Sequence, residues 1–374
     1  MNNFIKLKNI IIRWVYRKIL KPQFFRIDPE EMHDSMTRNG KFLGNYGITR
    51  GLTGLMFDYK HPMLEQRVLG IKFKNPIGLA AGFDKDAQLT QILPSVGFGY
   101  EEIGSITGEP CEGNPKPRLW RAKKSQSIVV YYGLNNKGAE IIHDNLKDLD
   151  LKFPLGISIA KTNCKETVDT HRGVDDYFKA YKILQNLGDY FTINISCPNA
   201  FGGQPYTDRE SLNILLEKLY SIDKKKPFFI KLSPDLTDNQ LDDIISLADQ
   251  YNIDGFICAN LTKKRDLNTI KDEDISEMGG LSGKVIQRLS DDLIKKVYNK
   301  TKGRFIIIGV GGIFSASDAY RKIKLGATLL QMITGMIYEG PQVIGEINRG
   351  LVKLLKKDGF KNISEAIGVE NKYE

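Results

Sequence analysis

The sequence has few cysteines, no long apolar run and no recognisable nucleic-acid-binding module, and each absence excludes a class of protein. Its 4 cysteines stand far apart without a C-x-x-C pair, which indicates neither a zinc site nor a disulfide framework. No window offers the roughly 18 uninterrupted apolar residues of a membrane-spanning helix. Because no basic arm with stacking aromatics is found, we expect no nucleic-acid partner. A reducing cytosol fits the cysteine usage best.

What the sequence does contain is enough apolar residue for a large core, with an excess of positive charge. With 374 residues, 41% of them hydrophobic, the chain suits either one large barrel or two smaller domains. The formal net charge of +9 favours anionic partners, which include nucleic acid, acidic lipid and small phosphate or carboxylate ligands. Composition alone does not choose among them.

The first two dozen residues have the pattern of a basic amphipathic helix. One face carries Lys6, Asn9, Arg13 and Arg17, and the opposite face carries Phe4, Leu7, Ile11, Trp14 and Val15. This pattern is typical of a helix lying flat on lipid, so we expect peripheral contact with the cytoplasmic face of a membrane. The alternative is a helix packed on the main domain. A cleavable signal is not predicted, because charges interrupt the apolar region and no small-residue cleavage site follows.

From about residue 70 onward, short apolar runs alternate with amphipathic stretches. The runs are NPIGLAAG (75–82), FGYEEIGSI (98–106), PLGISIAK (154–161), YFTINISC (190–197), PFFIKLSP (227–234), DGFICAN (254–260), RFIIIGVGG (304–312) and ATLLQMITG (327–335). The stretches between them predict helices over 174–187, 211–222, 239–251 and 285–298, with Asp or Thr as N-caps.

Eight apolar runs that alternate with helices predict an α/β fold, a closed (β/α)₈ TIM barrel with a small N-terminal helical extension. An open, doubly wound sheet is the alternative. We expect residues 1–60 to form the extension and residues 61–374 the barrel. Polar and glycine residues collect just after each run, at the strand ends where such barrels place their catalytic groups.

The side chains at these ends are amides, hydroxyls and ammonium groups, and no metal-binding set is found among them. They are Asp84 and Lys85 after the first strand, Ser105 after the second, Ser158 and Lys161 after the third, Asn194, Cys197 and Asn199 after the fourth, Lys231 and Ser233 after the fifth, and Asn260 and Thr262 after the sixth. The four histidines lie outside these ends.

Glycine-rich turns follow strands seven and eight, at 309–312 and 333–335. Barrels of this kind bind phosphate at this place, because exposed backbone N–H groups converge there; the alternative is a pair of tight turns without a ligand. Lys85 and Lys231 add positive charge, which is costly to bury unless it meets an anion. An ordinary salt bridge is the alternative for each lysine.

Cys197 is the candidate catalytic base. A free cysteine is most often a small apolar core residue, and Cys258, within a strand, is interpreted in that way. Pro198 ends the strand beside Cys197, however, and Asn194 and Asn199 bracket the thiol with hydrogen-bonding groups. A thiol that neighbouring positive charge has partly ionised can remove a proton.

Taken together, these residues resemble the dihydroorotate dehydrogenase family over most of the chain. The matching segments, in order, are RKILKPQFFRIDPEEMH, FKNPIGLAAGFDKD, GFGYEEIGSITGEPCEGNPKPRLWR, GLNNKG, NISCPN, IKLSPDL, GGLSGK, IIIGVGGI and GATLLQMITG. The resemblance implies a (β/α)₈ barrel that binds FMN and oxidises dihydroorotate to orotate in pyrimidine biosynthesis. It also implies that Cys197 is the catalytic base.

The same resemblance implies two sets of binding residues. The flavin contacts are Ala81, Gly82, Lys85, Ser105, Ser158, Asn194, Lys231, Ala259, Gly283, Gly311, Gly312, Ile333 and Thr334. The substrate contacts are Lys85, Gly133, Leu134, Asn194, Asn199 and Asn260.

The N-terminal extension is similar to that of the membrane-associated class, which passes its electrons to a quinone. The sequence departs from that class at the base, where a serine is expected instead of Cys197. It also departs at Val130 and Leu261, where the family has an asparagine and a threonine beside the substrate. Three alternatives stand beside dihydroorotate oxidation. They are FMN-dependent oxidation of another cyclic, dihydropyrimidine-like substrate, a phosphate-binding barrel enzyme without redox chemistry, and a barrel that retains FMN but only binds or regulates.

Overall fold

A closed barrel of parallel strands is the centre of the computed structural model, which describes residues 2–203 and 205–371. The strands are β1 (Gln66–Val68), β2 (Ile71–Phe73), β3 (Ile77–Leu79), β4 (Tyr100–Ile106), β5 (Leu119–Ala122), β6 (Ser127–Val130), β7 (Leu155–Ile159), β8 (Tyr190–Asn194), β9 (Phe228–Leu232), β10 (Gly255–Cys258), β11 (Gly280–Gly283), β12 (Ile306–Val310) and β13 (Leu329–Met332). The barrel order is β3-β4-β7-β8-β9-β10-β12-β13, and β13 pairs with β3 to close it.

Each of the eight predicted apolar runs contains one barrel strand, so the TIM-barrel prediction is confirmed and the open sheet is excluded. The strands are buried on both faces, as parallel strands covered by helices must be. Aromatic rings such as Tyr100, Tyr190 and Phe229 fill the lower interior, and Phe73 of the β1–β2 hairpin packs with them. These side chains fill one end of the barrel interior, and the strands have their carboxyl ends at the opposite end.

The helices surround this barrel and extend it at the N-terminus. They are α1 (Asn2–Val15), a π-helical turn (Tyr16–Leu20), α2 (Lys21–Phe24), α3 (Pro29–Asn45), α4 (Gly47–Phe57), α5 (Leu93–Val96), α6 (Ala139–Leu146), α7 (Thr170–Leu184), α8 (Arg209–Leu219), α9 (Asp238–Gln250), α10 (Gln287–Thr301), α11 (Ala316–Lys324), α12 (Thr334–Glu339) and α13 (Val343–Lys357). Short 3₁₀ turns lie at Pro62–Leu64, Glu166–Val168, Pro205–Thr207, Lys284–Ile286 and Ile363–Ala366.

The four predicted helices correspond to α7, α8, α9 and α10, with boundaries shifted by up to four residues. Side chains cap three of them as the sequence indicated: Asp169, Asp208 and Thr237 accept hydrogen bonds from the first-turn N–H groups. The start of α10 differs. Lys284–Ile286 forms a 3₁₀ turn, and the α-helix begins at Gln287.

A three-stranded antiparallel sheet, in the order β11-β6-β5, was not predicted. Val130 pairs with both Leu119 and Gly280 in this sheet, and a bridge between Thr262 and Leu281 ties it to the loop after β10. Its strands are only four residues long and come from distant parts of the sequence, so no local period distinguishes them from loops.

Part of the basic face of α1 is turned toward the barrel, while the contact of this helix with a membrane stays a prediction. Arg13 forms an ion pair with Glu346 of α13, and Arg17 one with Glu339 of α12. Asn9, predicted on the same polar face, is buried. The alternative interpretation, a helix packed on the main domain, is therefore confirmed for this face.

The apolar face of α1 points outward where its side chains are described. Ile11 and Trp14 are 52% and 56% exposed, whereas Val15 is partly buried. The side chains of Phe4, Lys6 and Leu7 lie outside the described part of the structure. None of the described helices is long and apolar enough to cross a bilayer.

Candidate active site

A cavity of about 470 Å³ lies at the carboxyl ends of the barrel strands, beneath the N-terminal helices. Twelve of the predicted site residues line it: Ala81, Gly82, Lys85, Ser105, Gly133, Leu134, Asn194, Cys197, Asn199, Lys231, Asn260 and Ile333. The outer wall is mostly apolar and includes Phe24, Met32, Met36, Leu43 and Phe57 of the extension. The chain thus joins its polar strand ends to an apolar passage in one cavity.

A second, smaller cavity of about 70 Å³ continues the first one along the barrel mouth. It is lined by the remaining predicted residues, with one exception: Ala259, Gly283, Gly311, Gly312 and Thr334. Lys231, Asn260 and Ile333 line both cavities. The exception is Ser158, which is fully buried behind Ser105 and lies 2.7 Å from it, Oγ to Oγ.

Cys197 lies on the loop that follows β8, and hydrogen bonds from distant residues hold this loop. Asn163 accepts a hydrogen bond from the Phe201 N–H (2.6 Å), and the Lys161 ammonium donates to the Phe201 carbonyl (2.9 Å). Asn114 donates to the carbonyl of Asn199 (3.0 Å). The thiol is thus carried on a loop whose course is fixed from the barrel side.

The protonation state of Cys197 differs from the expectation of a partly ionised thiol. Lys231 and Lys161 act to lower its pKa, but burial outweighs both and raises the pKa above the ordinary value of 9.0. The thiol is therefore protonated at neutral pH in the ligand-free protein.

Lys85 extends into the cavity over the ring of Tyr132, with Nζ 3.5 Å from the ring centroid. Burial lowers the pKa of Lys85 to about 8. Among the described residues no hydrogen bond or ion pair to Lys85 is found, so the alternative of an ordinary salt bridge does not apply to it. The hydroxyl of Tyr132 is buried and likewise lacks a partner among these residues.

Lys231 does have an acidic neighbour, and here the salt-bridge alternative is partly correct. Its Nζ lies 3.7 Å from Glu102 of β4, a fully buried carboxylate. The same carboxylate accepts hydrogen bonds from Thr192 (3.0 Å) and Gln331 (2.9 Å) inside the barrel. Glu102 thus shares its charge among several donors, and the Lys231 ammonium still lines the cavity.

The three asparagines at the site differ in which side-chain amide groups remain available to hydrogen-bond a ligand. Asn194 donates to Ser105 (2.7 Å), and Asn260 donates to Ser196 (3.0 Å), so their amide N–H groups already have partners. Asn199 donates to the Val130 carbonyl (2.8 Å), whereas its Oδ1 is buried without a partner among the described residues. Oδ1 of Asn199 is therefore an acceptor available to a ligand N–H.

The turn after β12 has the geometry of an anion site. Gly311 and Gly312 have φ values of +110° and +71°, which other residues rarely adopt. In the described part of the chain, no hydrogen bond from the N–H groups of these glycines is found. Two free backbone donors in a cavity wall are the arrangement that binds phosphate.

Sequence reasoning missed several residues that shape the site. His33 of α3 lines the cavity, and its Nε2 lies 2.8 Å from the Phe83 carbonyl. Asn114 and Asn163, which hold the Cys197 loop, come from segments far from it in sequence. No local pattern could have found them, because their roles depend on contacts between distant segments. In the described ranges, no group of three or more potential metal ligands is found.

The chain matches the family model described as Dihydroorotate dehydrogenase over residues 63–355. It is 36% identical to the Dihydroorotate dehydrogenase (quinone) of Trichodesmium erythraeum, over 96% of this chain and 99% of that protein. It is 41% identical to the protein of the same name from Christiangramia forsetii, over 92% of this chain and 99% of that one.

A solved structure has the same architecture. The crystal structure of DHODH from Eimeria tenella in complex with ferulenol superposes with a TM-score of 0.82 at 31% identity, covering 92% of this chain and 96% of that one. The similarity thus covers most of the chain. The chain belongs to the dihydroorotate dehydrogenase family.

Proposed function

We propose that this protein is an FMN-dependent dehydrogenase that oxidises dihydroorotate to orotate and passes the electrons to a quinone, a step of pyrimidine biosynthesis. The observation that carries this proposal is the pair of adjoining cavities: Cys197 and Lys85 line the larger one together with the apolar passage, and the glycine turn lines the smaller one. Related proteins of the family are named as quinone-dependent dihydroorotate dehydrogenases.

The residues present fit a flavin mononucleotide. A phosphate would be held by the free N–H groups of Gly311 and Gly312. Gly82 lines the larger cavity at φ +107°, and a Cβ at this position would project into open space, which leaves room for a flat ring. Lys231 places positive charge at the junction of the two cavities, where the ring would lie.

The polar side chains can bind and orient the substrate. The ammonium of Lys85 forms no hydrogen bond or ion pair among the described residues, and it suits the substrate carboxylate because a partly buried cation gains from an anion. Oδ1 of Asn199 would accept a hydrogen bond from a ring N–H. Together these two contacts would fix the ring beside the Cys197 thiol.

Cys197, as its thiolate, would remove a proton from one substrate carbon and become the neutral thiol. The bound flavin supplies the oxidant that accepts a hydride from the adjacent carbon. Loss of the proton and the hydride leaves the carbon–carbon double bond of orotate. Burial of the thiol makes the proton transfer more favourable once the thiolate has formed, because the neutral product suits an apolar site.

The apolar passage suits a quinone, and the exposed apolar side chains of the extension suit a membrane surface. Ile11 and Trp14 of α1 and Leu52 and Leu55 of α4 are each more than half exposed. The Lys8 ammonium donates to the carbonyl of Leu55 (2.8 Å), so the two helices lie together. We therefore propose peripheral association of residues 1–60 with the cytoplasmic face of a membrane, with residues 61–374 as the FMN-binding barrel.

One observation favours a different substrate of the same chemical class. Val130 and Leu261 line the cavity, so part of the ring edge would face alkyl groups rather than hydrogen-bonding groups. A missing hydrogen bond to a buried polar ligand costs about 1 to 3 kcal/mol. Another cyclic dihydropyrimidine with a less polar edge is therefore the second candidate, and a panel of such compounds in single-turnover flavin reduction distinguishes the two.

The decisive experiment compares the wild type with Cys197→Ala and Cys258→Ala. Cys258 is buried within β10, so Cys258→Ala controls for loss of a thiol outside the cavity. On mixing with dihydroorotate, we expect the wild type to bleach its flavin absorption and Cys197→Ala to do so about 10²- to 10⁴-fold more slowly. A colourless wild-type protein would contradict the redox function, and normal reduction by Cys197→Ala would contradict the role of the thiol.

A further inference from the structure

A fully buried lysine lies behind the glycine turn, outside the cavity. Lys322 of α11 is 0% exposed, and its Nζ lies 2.7 Å from both Ser290 Oγ and Asp291 Oδ1. Asp291 also pairs with Arg321 (2.7 Å), so Lys322 shares its hydrogen-bonded acidic partner with a second cation. Burying an ammonium group is costly, and packing alone would be served equally well by an apolar side chain.

The contacts of Lys322 lead directly to the turn. Ser290 Oγ accepts from Lys322 and donates to the carbonyl of Val310 (2.6 Å), the residue before the two glycines. On the other side, Gln287 donates to the carbonyl of Gly312. The turn's carbonyls are thus held from behind, while the N–H groups between them are left without partners among the described residues.

A chain of hydrogen bonds that begins at a charged donor is stronger than an isolated one, because each bond polarises the next. The ammonium of Lys322 therefore strengthens the Ser290 bond to Val310 and places a positive charge behind a turn that would bind an anion. Ser290 and Lys322 are both 0% exposed, so water cannot replace either partner.

We propose that Lys322, acting through Ser290, is a positioning residue for the flavin phosphate: it holds the Val310 carbonyl away from the cavity so that the N–H groups of Gly311 and Gly312 stay available to the anion. This inference rests on the proposed function, because it requires a flavin with a phosphate. It assigns a role in cofactor affinity to a side chain that contacts neither cavity.

The test compares the affinities of the full-length chain for FMN and for riboflavin, which lacks the phosphate. The variants are Lys322→Met, which removes the charge, and Ser290→Ala, which removes the connection to the turn and leaves the lysine in place. Lys324→Met is the matched control, because Lys324 lies on the same helix and pairs with Glu370 at the surface. Dissociation constants come from titrations that follow flavin fluorescence.

We expect Lys322→Met and Ser290→Ala to weaken FMN binding about tenfold while riboflavin binding changes by less than about twofold. Lys324→Met should leave both affinities unchanged. Equal losses for the two flavins, or an unchanged FMN affinity, would overturn the proposal, since a general loss of packing does not distinguish a phosphate. If Lys322→Met does not fold, Ser290→Ala decides.

The same titrations distinguish an error in the proposed flavin function from an error in the role of Lys322. A wild-type chain that binds neither flavin contradicts the flavin function itself, and with it this inference. A wild-type chain that binds FMN no more tightly than riboflavin contradicts only the phosphate role of the glycine turn and of Lys322.

Discussion

At the scale of single residues, the site depends on two groups whose protonation is governed by burial. Cys197 and Lys85 line one cavity, and burial raises the pKa of the thiol and lowers that of the ammonium. In both groups burial favours the neutral form over the charged one. The chemistry requires the charged forms, a thiolate and an ammonium, so pH affects the two groups in opposite directions.

If Cys197 is the catalytic base that we propose, its thiol should set the pH dependence of the chemical step. Because its pKa lies above 9.0, the thiolate fraction, and with it the rate of flavin reduction at saturating substrate, should rise from pH 7 past pH 9 without a plateau. Stopped-flow reduction measured across this range checks the slope. Cys197→Ala should lack the pH dependence, and a rate that is flat between pH 7 and 9 would contradict a thiol base.

If Lys85 binds the substrate carboxylate as we propose, its ammonium should set the pH dependence of substrate binding. With a pKa of about 8, the ammonium loses its proton above that pH, so the affinity for a carboxylate substrate should fall there. Dissociation constants of dihydroorotate between pH 6 and 10 measure the effect. A neutral analogue without the carboxylate is the matched control; if its affinity falls in parallel, Lys85 does not bind the carboxylate.

The Lys85 ammonium should also lower the free energy of unfolding of the ligand-free protein. The folded pKa of about 8 lies below the ordinary 10.5, so the unfolded chain binds more protons between these values and stability rises with pH across that window. Lys85→Met should therefore stabilise the chain at pH 7 by about 1 to 2 kcal/mol, and the gain should fade from pH 8 to 10. Urea denaturation at several pH values tests this, and a loss of stability at pH 7 would contradict it.

At the scale of elements, the loop after β8 carries the thiol but does not determine its own course. Asn163 joins the Phe201 N–H to the side chain of Asn114, which in turn binds the Asn199 carbonyl. Phe201 itself is 47% exposed. The loop is thus fixed by a few polar contacts, and the side chain of Phe201 stays partly open to solvent.

Asn163→Ala should loosen this loop. Loss of its two hydrogen bonds, each contributing about 1 kcal/mol, should raise chymotrypsin cleavage after Phe201 and lower kcat, both by about tenfold, while flavin content stays normal. Asn362→Ala, which removes contacts from a surface turn, is the control. Unchanged cleavage would show that the loop is held by other contacts.

At the scale of the whole molecule, the extension both covers the barrel mouth and presents an apolar surface. Arg13 and Arg17 form ion pairs with α13 and α12, and the apolar side chains Ile11 and Trp14 of α1 point outward. Exposed ion pairs contribute little individually, so apolar contacts within the cavity wall must provide most of the docking. One arrangement therefore explains both the apolar wall of the cavity and the exposed apolar side chains.

The double variant Trp14→Glu/Leu55→Glu should detach the protein from lipid. The two side chains are 56% and 77% exposed, and their insertion into an interface contributes a few kcal/mol, so partitioning onto anionic vesicles should fall at least about tenfold. Activity with a membrane quinone should fall with it, and activity with a soluble dye acceptor should not. Val369→Glu, 49% exposed outside the extension, is the control; unchanged vesicle binding of the double variant would exclude this surface.

The sequence by itself determined the barrel, because each strand and helix has a local signal: buried apolar runs, caps such as Asp169 and Thr237, and polar residues at the strand ends. It also placed all but one of the predicted site residues on two adjoining cavities. Other properties of the site depend on contacts between distant residues, and only the tertiary structure decided these. The ion pair of Arg13, the acidic partner of Lys231 and the pKa of Cys197 depend on which distant groups are neighbours and how much water remains between them.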